Sequence, residues 1–271
     1  MSSNAVVPPP RARVLVPLAA FLVPAVWFGP HLLAADGSQG GFADQGTLVG
    51  AVKEGFVRYW AAGSGDYSAE MGGVVDYWFR FHVAKAVLAS VLLVVLVALG
   101  VVVWRAFLRS EGVRRGGLAV AGAGVTGLGL LSLVVAAANV QGAVAPFTSV
   151  LTMLPTGARG GELAGTLDQV RGELAAHPDS APPALAAMIS DNARYHVTMA
   201  VIAGVVAAGL VVASVVLWRR FAGTADRRTR RVLGAFGGLG AVLAVMVLVV
   251  GAANVTVAAD SARGLTDFFG A

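Results

Sequence analysis

Four stretches of this chain contain no Asp, Glu, Lys, Arg or His: residues 86–104, 116–158, 197–217 and 232–259. Each is long enough to cross the ~30 Å of a hydrocarbon slab, which takes roughly 18 or more apolar residues. A water-soluble fold would have to hide all four at once. With 57% apolar and only 13% charged residues, the chain lacks the polar surface for that; soluble domains carry about 25% charged residues. These segments predict an all-α integral membrane protein with about five transmembrane helices.

The remaining span is the first apolar run, Val14–Phe28, preceded by Arg11 and Arg13 and continuing weakly through His31 to Ala35. It reads as an uncleaved anchor, and no Ala-x-Ala box is well placed for removal. The alternative is a signal sequence cut after Ala34 or Ala35. Beyond it the spans are Val83–Val103, Leu118–Val140, Val197–Leu217 and Val232–Val255. Two polar segments separate them. One holds an amphipathic piece, Leu48–Trp60, and the aromatic cluster Tyr77-Trp78-Phe79. The other holds the amphipathic piece Glu162–Ala175 and a Pro-rich break from His177-Pro178 to Pro182-Pro183.

The two halves repeat at an offset of 114–115 residues. Arg80-Phe81-His82-Val83 recurs as Arg194-Tyr195-His196-Val197, and Trp104-Arg105 as Trp218-Arg219. Leu133-Val134-Val135 and Ala137-Ala138-Asn139-Val140 recur as Leu248-Val249-Val250 and Ala252-Ala253-Asn254-Val255. His, Trp and Asn are rare in this Val/Ala-rich chain, so three anchors sharing one offset imply tandem duplication of a helical hairpin. The chain then divides into an anchor, 1–35, a first repeat, 36–155, and a second repeat, 156–271. Each repeat is a polar segment followed by two spans, and the two hairpins (TM2–TM3 and TM4–TM5) are expected to be parallel, about an axis along the membrane normal.

Charge sets the expected orientation. With the N-terminus and the loops 105–115 and 219–231 on one side, that side holds 12 of the 20 Lys/Arg and 2 of the 15 Asp/Glu. Short arginine-rich loops stay in the cytoplasm. The N-terminus is therefore expected inside, the C-terminus and both polar segments outside, in a cytoplasmic membrane. Lys53 and Lys85 are the only lysines; this arginine bias, with the Ala/Gly/Val excess, has the look of bacterial high-GC coding. The same clustering at span ends explains the basic charge without nucleic acid as a partner.

Helical rise then sets depth. His82 to Trp104, like His196 to Trp218, is 22 residues, about 33 Å at 1.5 Å per residue. Asn139 and Asn254 lie a similar distance from Arg115 and Arg231. His82, His196, Asn139 and Asn254, with Arg80 and Arg194, are thus expected as a ring of polar groups near the outer interface, with His31 at about that depth. Small residues on the third and fifth spans, including Gly122, Thr126, Gly234 and Gly238, predict close helix packing near the cytoplasmic side. Phe147–Pro155 and its counterpart Leu265–Phe269 are expected to lie along the outer surface as interfacial helices.

Chemistry is sparse. There is no cysteine, which excludes thiolate sites and disulfides. Gly-x-x-x-x-Gly-Lys, Gly-x-Ser-x-Gly and His-Glu-x-x-His are missing. Spans without ionisable groups disfavour proton-coupled carriers and pumps. What remains is a non-catalytic accessory or assembly component, or a binder of a small ligand or lipid, with the bilayer and a membrane partner subunit as its company. A metal- or haem-binding redox subunit using His82 and His196 is the first alternative, and a passive channel along the repeat axis the second. No cofactor is specified by the residues. Reporter fusions after Ser110 and Thr224 are expected to report the cytoplasm, and fusions after Gly160 and Gly270 the exterior.

Overall fold

A computed structural model describes residues 10–35, 41–42, 44–111, 113–176 and 181–270. The expected break at His177-Pro178 lies outside the described residues. All regular structure among the described residues is helical: α1 (Pro10–Ala34), α2 (Gln45–Ala62), α3 (Ala69–Arg109), α4 (Val113–Val144), α5 (Pro146–Leu151), α6 (Gly161–Ala176), α7 (Pro183–Ala222), α8 (Arg227–Ala259) and α9 (Ser261–Phe269). Five of these, α1, α3, α4, α7 and α8, are long and apolar enough to cross a membrane. The helices α2 to α5 have 18, 41, 32 and 6 residues, and α6 to α9 follow in the same order with 16, 40, 33 and 9.

Local sequence explains where the helices begin and end. Asp44 caps α2 by accepting the Thr47 N–H at 2.8 Å, and Gly63 ends it with φ 66°, the left-handed turn that glycine adopts without strain. Asp226 caps α8 through the Thr229 N–H at 2.8 Å. Pro183 occupies the first position of α7, where its missing N–H costs nothing. The two longest helices, α3 and α7, start well before the expected spans at Val83 and Val197. At 1.5 Å per residue, 41 residues extend about 61 Å, roughly twice the hydrocarbon thickness. Their first turns are therefore free to build something other than a span.

The chain divides into two compact units. One contains the residues up to Leu32 and Val83–Asn139. Here Leu22 and Val26 of α1 pack with Leu92, Leu96 and Ala89 of α3 and Ala136 of α4. Ser132 donates a hydrogen bond of 2.7 Å to the Ala89 carbonyl, tying α4 to α3 where no water competes. Trp104 donates through Nε1 to the Thr126 hydroxyl at 3.2 Å. Its indole lies so close to Gly122 that a Cβ there would sit 2.8 Å from the ring.

The other unit contains Leu33–His82 and Val140–Ala271. Trp218 faces Gly237 in the same manner, 2.9 Å from a Cβ built there. The small residues expected to bring helix backbones together thus mainly receive tryptophan rings. Gly238 has nothing within 4 Å, and the close approach of α8 to α7 occurs instead at Gly240 and Gly251, against Ser214 and Ala203. Val201, Val205 and Val212 of α7 and Val242, Val245 and Val249 of α8 remain exposed, the surface a bilayer would cover.

The same unit holds an aromatic-rich core assembled from α2, α5, α6, α9 and the first turns of α3 and α7. Phe56, Tyr59, Met71, Phe147, Leu151, Leu167, Leu185, Met188, Leu265 and Phe269 are fully buried in it. Tyr59 sits edge-on to Phe147 at 5.0 Å, and Phe56 stacks with Phe269 at 6.3 Å. Burial of a single phenylalanine contributes about 1.5–3 kcal/mol. Phe147–Leu151 and Leu265–Phe269, expected to lie on a lipid surface, instead turn their apolar faces into this core. They do so because α2 and α6 supply a protein surface for them to cover.

Two breaks lead into these short helices with nearly identical backbone geometry: Ala145 at φ −132°, ψ 70° and Asp260 at φ −132°, ψ 69°. Asp260 caps α9 itself, accepting the Arg263 N–H at 3.1 Å. Ala145 has no side-chain acceptor, and the cap comes from α7: buried Asp191 accepts the Thr148 N–H at 2.8 Å. Replacing Asp191 with Ala leaves a buried donor without its acceptor and is expected to cost about 1–3 kcal/mol. The check is thermal unfolding of the purified protein, with Asp260→Ala as the milder comparison at about 0.5–2 kcal/mol.

Candidate functional site

The six ring residues take up distinct environments. His82 is buried among aromatic rings, edge-on to Trp78 at 4.9 Å and to Phe81 at 5.8 Å. Its Nε2 lies 2.9 Å from the Ser149 hydroxyl, which also accepts the Trp78 indole N–H at 3.0 Å. Gly142 faces the imidazole, and a Cβ there would stand 2.5 Å from Nε2. His82 is therefore a packed side chain that pins α5 to α3. Asn139 turns its amide N–H back to the Val135 carbonyl at 2.7 Å, within its own helix.

His196 and Asn254 are joined, Nδ1 to Oδ1 at 2.8 Å. The Asn254 amide donates to the Val250 carbonyl at 2.8 Å, which turns Oδ1 toward the imidazole. The ring nitrogen facing that oxygen must carry the proton, so the neutral imidazole keeps its lone pair on Nε2. Arg80 is held by Asp76 at 2.9 Å and Arg194 by Asp191 at 3.6 Å. Arg80 also lines a small cavity of about 220 Å³ with Phe42, Glu70 and Tyr77. Among the described residues no three His, Cys, Asp or Glu side chains stand close enough together to hold a metal ion.

The larger feature is a cavity of about 440 Å³ between α5, α7, the end of α8 and α9. Its wall is Thr148, Leu151, Thr152, Asn192, Tyr195, His196, Val257, Gly264, Leu265, Asp267 and Phe268. That volume and a mainly apolar lining with a few converging polar groups are the marks of a small-molecule site. One polar group is unusual. Thr148 is 7% exposed, and its Oγ1 is the buried side-chain oxygen without a hydrogen-bond partner among the described residues. Leaving a hydroxyl in that state costs about 1–3 kcal/mol.

The rim is rigid. Asn192 donates to the Ser261 carbonyl at 3.3 Å, tying α7 to α9. Arg171 donates to the Phe269 carbonyl at 2.8 Å and to the Thr156 carbonyl at 2.6 Å. Behind α5, the Tyr59 hydroxyl donates to the Ala184 carbonyl at 2.7 Å. Burial, and then the charges of Tyr67, Asp191 and Asp66, push the Tyr59 phenol far above the usual tyrosine range. That bond therefore persists at every physiological pH.

Of the six ring residues, His196 lies on the cavity wall, with Asn254 fixing its tautomer from behind. Thr148, Asn192, Asp267 and Asp191 were not singled out by sequence. Their only signal was a threonine, an asparagine or an aspartate in or next to an apolar stretch, and that is common at helix ends. Comparison with protein-family models, with curated proteins and with solved structures finds no match for this chain. Ser149→Ala would strip both the Trp78 N–H and the His82 Nε2 of their shared partner. A loss of about 1–3 kcal/mol is expected, read as a lowered midpoint of thermal unfolding.

Proposed function

We propose that this is a non-catalytic, ligand-binding protein of the cytoplasmic membrane, whose helical core, facing the exterior, holds a small apolar or lipid-like molecule. The observation that carries this reading is the 440 Å³ cavity, with its apolar wall, its tautomer-fixed His196 and the unpartnered hydroxyl of Thr148. The arginine-rich loops at 105–115 and 219–231 support an orientation with the N-terminus inside and the C-terminus outside. In that orientation the cavity opens on the outer side of the membrane.

The architecture is read as a tandem duplication, 36–155 and 156–271, behind an N-terminal anchor. In its favour are the sequence offset, the matching order of helices α2–α5 and α6–α9, the two tryptophans on Gly122 and Gly237, and the shared backbone geometry at Ala145 and Asp260. The copies have diverged where function would divide them. In the first, His82 is locked against Ser149. In the second, glycine stands at the corresponding position, Gly264, and His196 borders open space. Duplication followed by filling of one site and opening of the other produces this pattern.

Native mass spectrometry of the full chain, extracted under mild conditions, is expected to show a retained small molecule or lipid in stoichiometric amount. Thr152→Trp, which fills the cavity from an exposed position on its wall, is expected to remove it without lowering the unfolding temperature. Retention that survives this substitution would place the ligand elsewhere.

A further inference from the structure

We propose that this cavity selects a protonated amine carried on a small apolar body, an alkyl- or arylalkyl-ammonium. The inference rests on reading the cavity as a ligand site and adds the sign of the ligand's charge.

The argument is a count of what the wall has left after its internal hydrogen bonds. Thr152 gives its hydroxyl proton to the Ser149 carbonyl at 2.7 Å. His196 gives its Nδ1 proton to Asn254 at 2.8 Å. Asn192 gives one amide proton to the Ser261 carbonyl at 3.3 Å. What these three mainly retain is acceptor capacity: the Thr152 oxygen lone pairs, the Nε2 side of the His196 ring, whose Nδ1 faces Asn254, and the Asn192 carbonyl oxygen.

Charge points the same way. Among the described residues of the lining, Asp267 is the acidic one, and it is exposed at the rim. Among the described residues, no lysine or arginine belongs to the wall. Arg194, next to the wall in sequence, is directed to Asp191 at 3.6 Å. A carboxylate or phosphate entering this space would meet Asp267 and a set of lone pairs with no cation to balance it. An ammonium brings three N–H donors to those acceptors and a positive charge to the Asp267 carboxylate at the rim. The apolar part of such a ligand is met by Leu151, Val257 and Leu265, with the aromatic side chains of Tyr195 and Phe268 beside them.

The test compares three probes with one chain length and different heads: n-octylamine, n-octanol and n-octanoate. Each is titrated calorimetrically at neutral pH into the full-length protein in phosphatidylcholine nanodiscs, with empty nanodiscs subtracted. Octylamine is expected to bind saturably and at least about tenfold more tightly than the other two, the margin of a charge-assisted hydrogen bond. Asp267→Asn is expected to erase most of that margin while leaving octanol unchanged. Octanol or octanoate binding as tightly as octylamine, and blocked by Thr152→Trp, would overturn the charge assignment and leave the cavity standing as a ligand site. Failure of all three probes to bind saturably would overturn both.

Discussion

Water cannot follow the chain into hydrocarbon, so every backbone N–H and C=O there must find its partner within the segment itself. A buried unpaired amide costs several kcal/mol, and a span of twenty residues carries some forty such groups. Continuous α-helix is the solution this chain adopts in α1, α3, α4, α7 and α8. The rest of the structure builds outward from that requirement. Side chains no longer needed to solvate the helices can be small, and Gly122 and Gly237 receive tryptophan rings in contacts no larger residue would permit. Hydroxyls within the spans, such as Ser132 and Ser214, return their protons to carbonyls of neighbouring helices at 2.7 Å.

Where the long helices extend past the span, a different physics takes over. The first turns of α3 and α7 carry apolar residues that water would otherwise contact, and α2, α5, α6 and α9 cover them. This is an ordinary globular core resting on membrane helices, driven by removal of apolar surface from water. Its polar groups are consequential because they are few. Asp191, though buried, is paired with Arg194 and accepts the buried N–H at the start of α5. Without it the break at Ala145 would bury an unsatisfied amide, and the wall of the cavity would lose its footing.

The likeness between the two halves is instructive because it is incomplete. Each long span ends in a short helix after a residue held near φ −132°. One short helix is capped by its own aspartate, the other by an aspartate from the opposite half. That exchange binds the halves together and makes them unequal.

Much of this was legible in the residues. The four chargeless stretches and the first apolar run located the five long helices, because the cost of burying charge in hydrocarbon is severe. The Pro-rich stretch ending at Pro182-Pro183 marked a break, and α7 starts there. His196 and Asn254 stood out as rare polar groups in an apolar context, and they do meet. The early starts of α3 and α7 were hidden, since their first turns read as polar, glycine-rich chain. The burial of Phe147 and Phe269 was hidden as well, because an apolar helix face looks the same whether lipid or protein covers it. The cavity needed three separate segments to converge: Thr148 on α5, Asn192 on α7 and Asp267 on α9 are far apart in the chain and belong to no motif. The sequence by itself determined which segments must be helical, because backbone hydrogen bonding and hydrophobicity are local. Only the tertiary structure decided which of the scattered polar atoms share a space and which keep a lone pair to offer, because that depends on partners contributed from elsewhere in the fold.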